Sequence, residues 1–124
     1  MNNNFSVITT SYNDESNVEA YLDAIINQTL PPSEIVIVDG GSKDNTCQII
    51  KDYIPKTSIP ILLVEDGRLN IAEAFNIGIR KAHSGYILIS CMGNKFSLTM
   101  CEDLFNKIKE TDADSSYGLL FGID

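Results

Sequence analysis

The chain has 124 residues, 44% of them hydrophobic and 21% charged, which suits one domain around a single core and excludes a disordered or fibrous composition. Seventeen acidic residues against nine basic ones leave a net charge of -8, which repels nucleic acid and anionic lipid and argues against a nucleic-acid role. Three cysteines, an odd number, and a single histidine support neither a disulfide framework nor a zinc site, so Cys47, Cys91 and Cys101 read as reduced, mostly buried thiols.

The amino-terminal MNNNFSV lacks the basic and then apolar pattern of an export signal, and no apolar run reaches the ~20 residues of a membrane-spanning helix. The expected location is cytoplasmic, with the inner face of a membrane reached through partners. A first strand is predicted over 5–9. The helix after it carries Val18, Tyr21, Leu22, Ile25 and Ile26 on one face. Ser16 and Glu19 have capping-box spacing at its start, and Pro31 and Pro32 stop any continuation.

A second strand is predicted over 34–38, where the run IVIV is apolar on both faces and suits the centre of a covered parallel sheet. The next helix spans 46–54, with Cys47, Ile50 and Ile54 on one side, Ser42 or Asp44 as its cap, and Pro55 at its end. After a strand over 61–64 comes the clearest helix. Ile71, Ala74, Phe75, Gly78, Ile79 and Ala82 make its apolar stripe, and Asn70 and Glu73 its capping box. The strand over 86–90, YILIS, also reads as central. A weaker fourth helix uses Leu98, Cys101, Leu104, Phe105 and Ile108, with Thr99 and Glu102 as its box, and a fifth strand is predicted over 115–121.

This strand and helix alternation predicts one α/β domain over 1–124: a doubly wound, mostly parallel sheet with helices on both faces. Ligands of such sheets bind at the carboxyl ends of the strands, where the strand-to-helix loops converge. Four loops are thereby nominated: TTSYND at 9–14, DGGSKD at 39–44, EDGRLN at 65–70 and CMGNKF at 91–96. Asp39 is an acceptor where its strand stops, and Gly40 and Gly41 permit a tight turn and close approach of a ligand. The plainer alternative is that DGGS serves only as turn and cap. No glycine-rich turn follows the first strand, against a dinucleotide site, and no glycine-rich loop ends in Lys-Ser or Lys-Thr, against a P-loop.

FSVITTSYND, then NQTLPPSEIVIVDGGSKDNT, then IAEAFNIGIRKAHSGYILIS, resemble in order and spacing the amino-terminal half of the family 2 glycosyltransferases. The resemblance covers essentially the whole chain. It implies a GT-A fold, a Rossmann-like half that binds a nucleotide-diphosphate sugar donor. By that resemblance Thr10, Ser11 and Tyr12 form the loop against the donor base, with Asp39 and the adjoining Gly40 as its polar, close-approach partner. Asn76 and Gly78 fall in the motif of the third helix. Two alternatives stay open: Tyr12 as a core aromatic, and Gly78 as a close-packing residue.

The chain departs from the family in two respects. Many members carry Asp-x-Asp after the fourth strand to hold magnesium or manganese on the donor diphosphate; here the position reads Cys91, Met92, Gly93, a soft donor set unsuited to either ion. No metal site is therefore expected. Lys43, Arg68 and Lys95 fall in the nominated loops as metal-free phosphate partners, or else as surface charges with Arg68 paired to Asp66. Cys91 has no histidine base beside it in sequence, which argues against a nucleophile.

The second departure is length. The family's acceptor site and catalytic base lie in a carboxyl-terminal half, so no catalytic residue is assigned, and the chain is expected to be a truncated glycosyltransferase. The implied function is inverting transfer to an acceptor hydroxyl on a sugar, lipid or polysaccharide. The alternative is a noncatalytic donor-binding or oligomerisation module, where an uncovered sheet edge or face would favour a homo-oligomer.

Overall fold

A computed structural model of the chain describes residues 5–68 and 70–111, the last four by backbone alone. The order of elements is β1 (Phe5–Ser11), α1 (Val18–Ile26), β2 (Glu34–Asp39), α2 (Thr46–Tyr53) with a short 3-10 turn (Ile54–Lys56), β3 (Ile61–Glu65), α3 (Ile71–Lys81), β4 (Tyr86–Ile89) and α4 (Met100–Thr111). The four strands form one sheet in the order β3-β2-β1-β4, every neighbouring pair parallel. The expected α/β class, with helices on both faces, is thus observed. The strand predicted over 115–121 lies outside the described residues.

Strand periodicity divides the core in two. Phe5, Val7, Ile35, Ile37 and Leu88 face α1, α2 and α4, whereas Ile8, Val36 and Val38 face α3. All four residues of IVIV are fully buried, as a central strand requires. YILI forms β4, last in the order of the described strands, and the strand predicted to follow it lies outside those residues; its Tyr86 is partly exposed while its ring meets Phe105 edge-on at 5.2 Å.

The helix starts show which local signals survive packing. Asn70 and Glu73 form the expected reciprocal box on α3. No such box starts α1; Asn17 is its first flanking residue, and the Asp14 carbonyl accepts from the N–H groups of Asn17 and Val18. For α2 the flanking residue is Asn45, which makes no side-chain cap; Asp44 just before it accepts from the Thr46 N–H, and Ser42 turns to Asp39 instead. At α4, Thr99 bonds Asp103, and Glu102 accepts from the Thr29 hydroxyl.

Four apolar assignments need correction. Ile71 is 70% exposed and Ile79 39%, because the buried face of α3 centres on Ala74 and Gly78 and leaves those two side chains at the first turn and the flank. Ile54 is exposed in the 3-10 turn, and Leu98 precedes α4, where Met100 enters the core in its place. Gln28 is buried and joins α1 to α4: its amide donates to the Ala24 and Ser97 carbonyls and accepts from the Cys101 N–H.

At the amino end of the sheet, opposite the nominated loops, Glu34 accepts from the Ser6 hydroxyl and the His83 N–H, and its other oxygen lies 3.0 Å from His83 Nδ1. Burial opposes ionisation of Glu34, yet these bonds hold its pKa below 4.5. A depressed folded pKa stabilises the fold above the unfolded value and loses that contribution as pH falls through the folded one. Glu34→Ala is expected to cost about 1–2 kcal/mol in urea unfolding at neutral pH, with the gap to the parent protein closing as the solution is made acidic.

Candidate functional site

The site is built where β1 and β2 end side by side. Their register pairs Ser11 with Asp39, which puts both at the carboxyl edge of the sheet. Asp39 is only 1% exposed. One carboxylate oxygen accepts from the hydroxyls of Ser11 at 2.7 Å and Ser42 at 2.6 Å; the other accepts from the N–H groups of Gly41 at 2.9 Å and Ser42 at 2.7 Å. Four acceptances use the ordinary capacity of a carboxylate. Burial would raise the pKa of this group, but the Ser42 and Ser11 hydroxyls and the Ser42 N–H hold it below 3.8. Asp39 therefore lies on the same rim as residues 10–12, with its charge directed into the loops that it shapes.

A ladder of polar contacts ties the loop after β1 to the loop after β2. The Asn13 N–H donates to Ser42 Oγ, the Lys43 N–H to Asn13 Oδ1, and the Asp14 N–H to Thr46 Oγ1, each at 2.8 Å. Asn13 has a φ of 50, a backbone state that Asn tolerates better than most residues. Gly41 has a φ of 94, and a Cβ there would stand 3.1 Å from the Cα of Gly67. The loop after β3 thus abuts the Asp-Gly-Gly turn, and the Asp66 N–H donates to the Asp39 carbonyl.

Tyr12 stands at the top of this assembly and is 55% exposed, so it is not a core aromatic. A Cβ on Gly40 would lie 3.8 Å from the edge of its ring, so the bare Gly40 backbone and the Tyr12 ring adjoin. Thr10 is half-buried below them. The Asp-Gly-Gly-Ser segment is a turn, as the plainer alternative held in part, but it does not cap α2, and it is also the wall against which the Tyr12 loop is fixed.

The loop after β4 is positioned from α1. The buried Tyr21 hydroxyl bonds Ser90, its pKa pushed up by burial, and the Tyr21 ring meets Phe96 edge-on at 5.7 Å. Cys91 is exposed, Met92 is 3% exposed within the core, and Gly93 faces Asn17. Cys47 and Cys101 follow the expectation of inert thiols better: burial, joined at Cys47 by the nearby Asp39, pushes each up to about 12.

Of the three nominated cations, Arg68 is engaged, making two 3.0 Å contacts with the Asp66 carboxylate. Lys43 and Lys95 are exposed in the loops after β2 and β4. Sequence reasoning placed Asn13, Asp14, Ser42 and Gly67 in the nominated loops but assigned none of them, nor Thr46, a part in joining one loop to the next. The density of Asn, Asp, Ser and Thr in TTSYND and GSKDNT was the available signal.

The fold agrees with what the sequence matches. Residues 6–124 match the family described as "Glycosyl transferase family 2". The chain belongs to this glycosyltransferase family. Among family relatives, glycosyltransferase GlyG of Streptococcus pneumoniae is 29% identical over 96% of the chain and 40% of its own length. TarS of S. aureus, solved with UDP, superposes with a TM-score of 0.75 at 25% identity over 86% of the chain and 32% of TarS. TarS has also been solved with UDP-GlcNAc. The mannosyltransferase PcManGT of Pyrobaculum calidifontis, in complex with GDP-Man and Mn2+, gives 0.69 at 28% identity over 74% of the chain and 28% of PcManGT. The chain spans well under half the length of each of these glycosyltransferases.

A hard divalent cation such as the Mn2+ of PcManGT needs oxygen donors. The Cys91, Met92, Gly93 segment does not fit one: it offers a thiol, a thioether buried in the core, and no third side chain. Among the described residues, no three His, Cys, Asp or Glu side chains are grouped to hold a metal ion. Among those residues, too, no helix is long and apolar enough to cross a membrane.

Proposed function

We propose that this domain binds the nucleoside diphosphate of a nucleotide-activated sugar and presents the sugar for inverting transfer to an acceptor hydroxyl. In that reaction the acceptor oxygen forms a bond to the anomeric carbon, the bond from that carbon to the diphosphate breaks, the diphosphate leaves, and a base takes the hydroxyl proton. The base and the acceptor site are expected from outside these 124 residues. The observation that carries the proposal is the exposed Tyr12 ring beside Gly40, on loops locked together through Asp39, Ser11 and Ser42. The complexes of TarS and PcManGT with nucleotide sugars support it.

The proposal gives each residue a role. Tyr12 offers a face for the base, Gly40 admits the nucleoside closely, and Thr10 and Ser11 lie beneath. Asp39 acts by fixing the loops, and Lys43 and Lys95 offer charge to the phosphates, whereas Arg68 is taken up by Asp66. Tyr12→Ala is expected to leave stability within about 0.5 kcal/mol, since the side chain is mostly exposed, and to weaken UDP or GDP about tenfold through lost stacking. Calorimetry against both nucleotides measures this. An affinity unchanged by the substitution contradicts the role given to Tyr12.

The Cys91–Gly93 segment favours a second reading, a noncatalytic donor-binding module. Hydrolysis or transfer of a UDP- or GDP-sugar by the isolated chain rules that reading out.

A further inference from the structure

We infer that the domain takes its donor diphosphate without a divalent cation, and that Lys43 and Lys95 supply the positive charge in its place. This rests on the donor-site reading above. The mismatch at Cys91, Met92 and Gly93 would matter little if another carboxylate on the rim were free to coordinate a metal. The six around the loops after β1, β2 and β3 are all engaged. Asp14 accepts from the Tyr12 N–H, and Glu15 from the Asn45 N–H. Asp39 carries its four bonds, and Asp44 accepts from Thr46 and the Glu15 N–H. Glu65 pairs with Lys51 at 3.3 Å, and Asp66 with Arg68 at 3.0 Å. Asp39 has its acceptor capacity filled, the other five are each tied to a loop N–H or a cation, and among the described residues no three such side chains are grouped to hold a metal ion.

The cations divide the other way. Arg68 and Lys51 are neutralised by their partners, whereas among the described residues neither the Lys43 nor the Lys95 ammonium has an ion pair. In the order β2-β1-β4 their loops lie on either side of the Tyr12 loop. The Lys43 backbone is held there by its N–H bond to Asn13 Oδ1, so its side chain starts from a fixed point on the rim. Two ammonium groups that flank a site for a base are suitably charged for a diphosphate attached to that base.

The test is calorimetric titration of the whole chain with UDP and with GDP, in EDTA, in Mg2+ and in Mn2+, with uridine and guanosine as phosphate-free probes. The expected result is a diphosphate affinity equal within about twofold in all three conditions. Lys43→Ala and Lys95→Ala should each weaken the diphosphate about fivefold, the size of one partly screened charge contact, and leave the nucleoside unchanged. Binding that tightens tenfold or more with Mn2+ or Mg2+ overturns the inference and leaves the donor site standing. Diphosphate affinity unaltered in both lysine variants overturns the assignment of the charge. If neither UDP nor GDP binds under any condition, the donor reading itself fails, and the inference with it.

Discussion

Asp39→Ala is expected to lower the unfolding free energy by about 3–4 kcal/mol, a large part of what a domain of this size has. The carboxylate is buried and accepts four hydrogen bonds, so its removal leaves two hydroxyls and two N–H groups facing a void. Hydrogen bonds to a charged acceptor contribute about 1.5–3 kcal/mol each, and relaxation of the exposed loops recovers part of the sum. Asp39→Asn keeps the shape but presents an NH2 group to donors. It is expected to cost about half as much and to retain a folded chain in which nucleotide binding is measurable. Both variants should also flatten the acid limb. With its folded pKa depressed, ionised Asp39 stabilises the fold above the ordinary 3.8 and loses this as pH falls through the folded value. Urea unfolding from pH 7 to pH 3 tests this. A loss below 1 kcal/mol at pH 7 for Asp39→Ala contradicts the role.

Gly78 carries the second large effect. It is buried on α3 where the helix crosses β1, and a Cβ there would lie 2.5 Å from Cγ2 of Ile8 and 3.6 Å from Cγ2 of Val38. Both side chains are fully buried in the central strands, so neither has room to withdraw. Alanine gains about 1 kcal/mol in helix propensity, which offsets part of a steric cost of 1–3 kcal/mol. Gly78→Ala is therefore expected to lose about 1 kcal/mol net. Gly78→Val adds two methyl groups and a stiff side chain, and is expected to lose about 3 kcal/mol or more. Ile8→Ala removes the facing methyl, so the double variant Ile8→Ala with Gly78→Ala should be less destabilised than the sum of its parts by about 1 kcal/mol. Strict additivity would mean that the helix, rather than the side chain, gives way.

The architecture was legible because periodicity speaks directly to burial. IVIV had to be central, and the Asn70 and Glu73 spacing had no local rival, so that box formed. The Ser16 and Glu19 spacing looked equally good, but the Asp14 carbonyl starts that helix and Asn17 becomes its first flanking residue. YILI forms a strand as its apolar run implies, and its place in the sheet depends on a neighbour outside the described residues. Asp39 was legible as an acceptor at a strand end. Its donors were not, since they depend on the Ser11 register and on how the expected Gly40 and Gly41 turn folds its N–H groups back onto the carboxylate. Tyr12 had two readings in sequence, and only its exposure separated them.

The most direct test of the donor site is a residue-resolved NMR titration of the chain with UDP and with GDP. The expected result is a set of amide shifts confined to residues 10–13, 40–43 and 91–95, with Ser6, Glu34 and His83 at the far end of the sheet unmoved. Shifts centred on that far end, or no shifts with either nucleotide at millimolar concentration, would contradict a donor site at the rim that Tyr12 and Asp39 define.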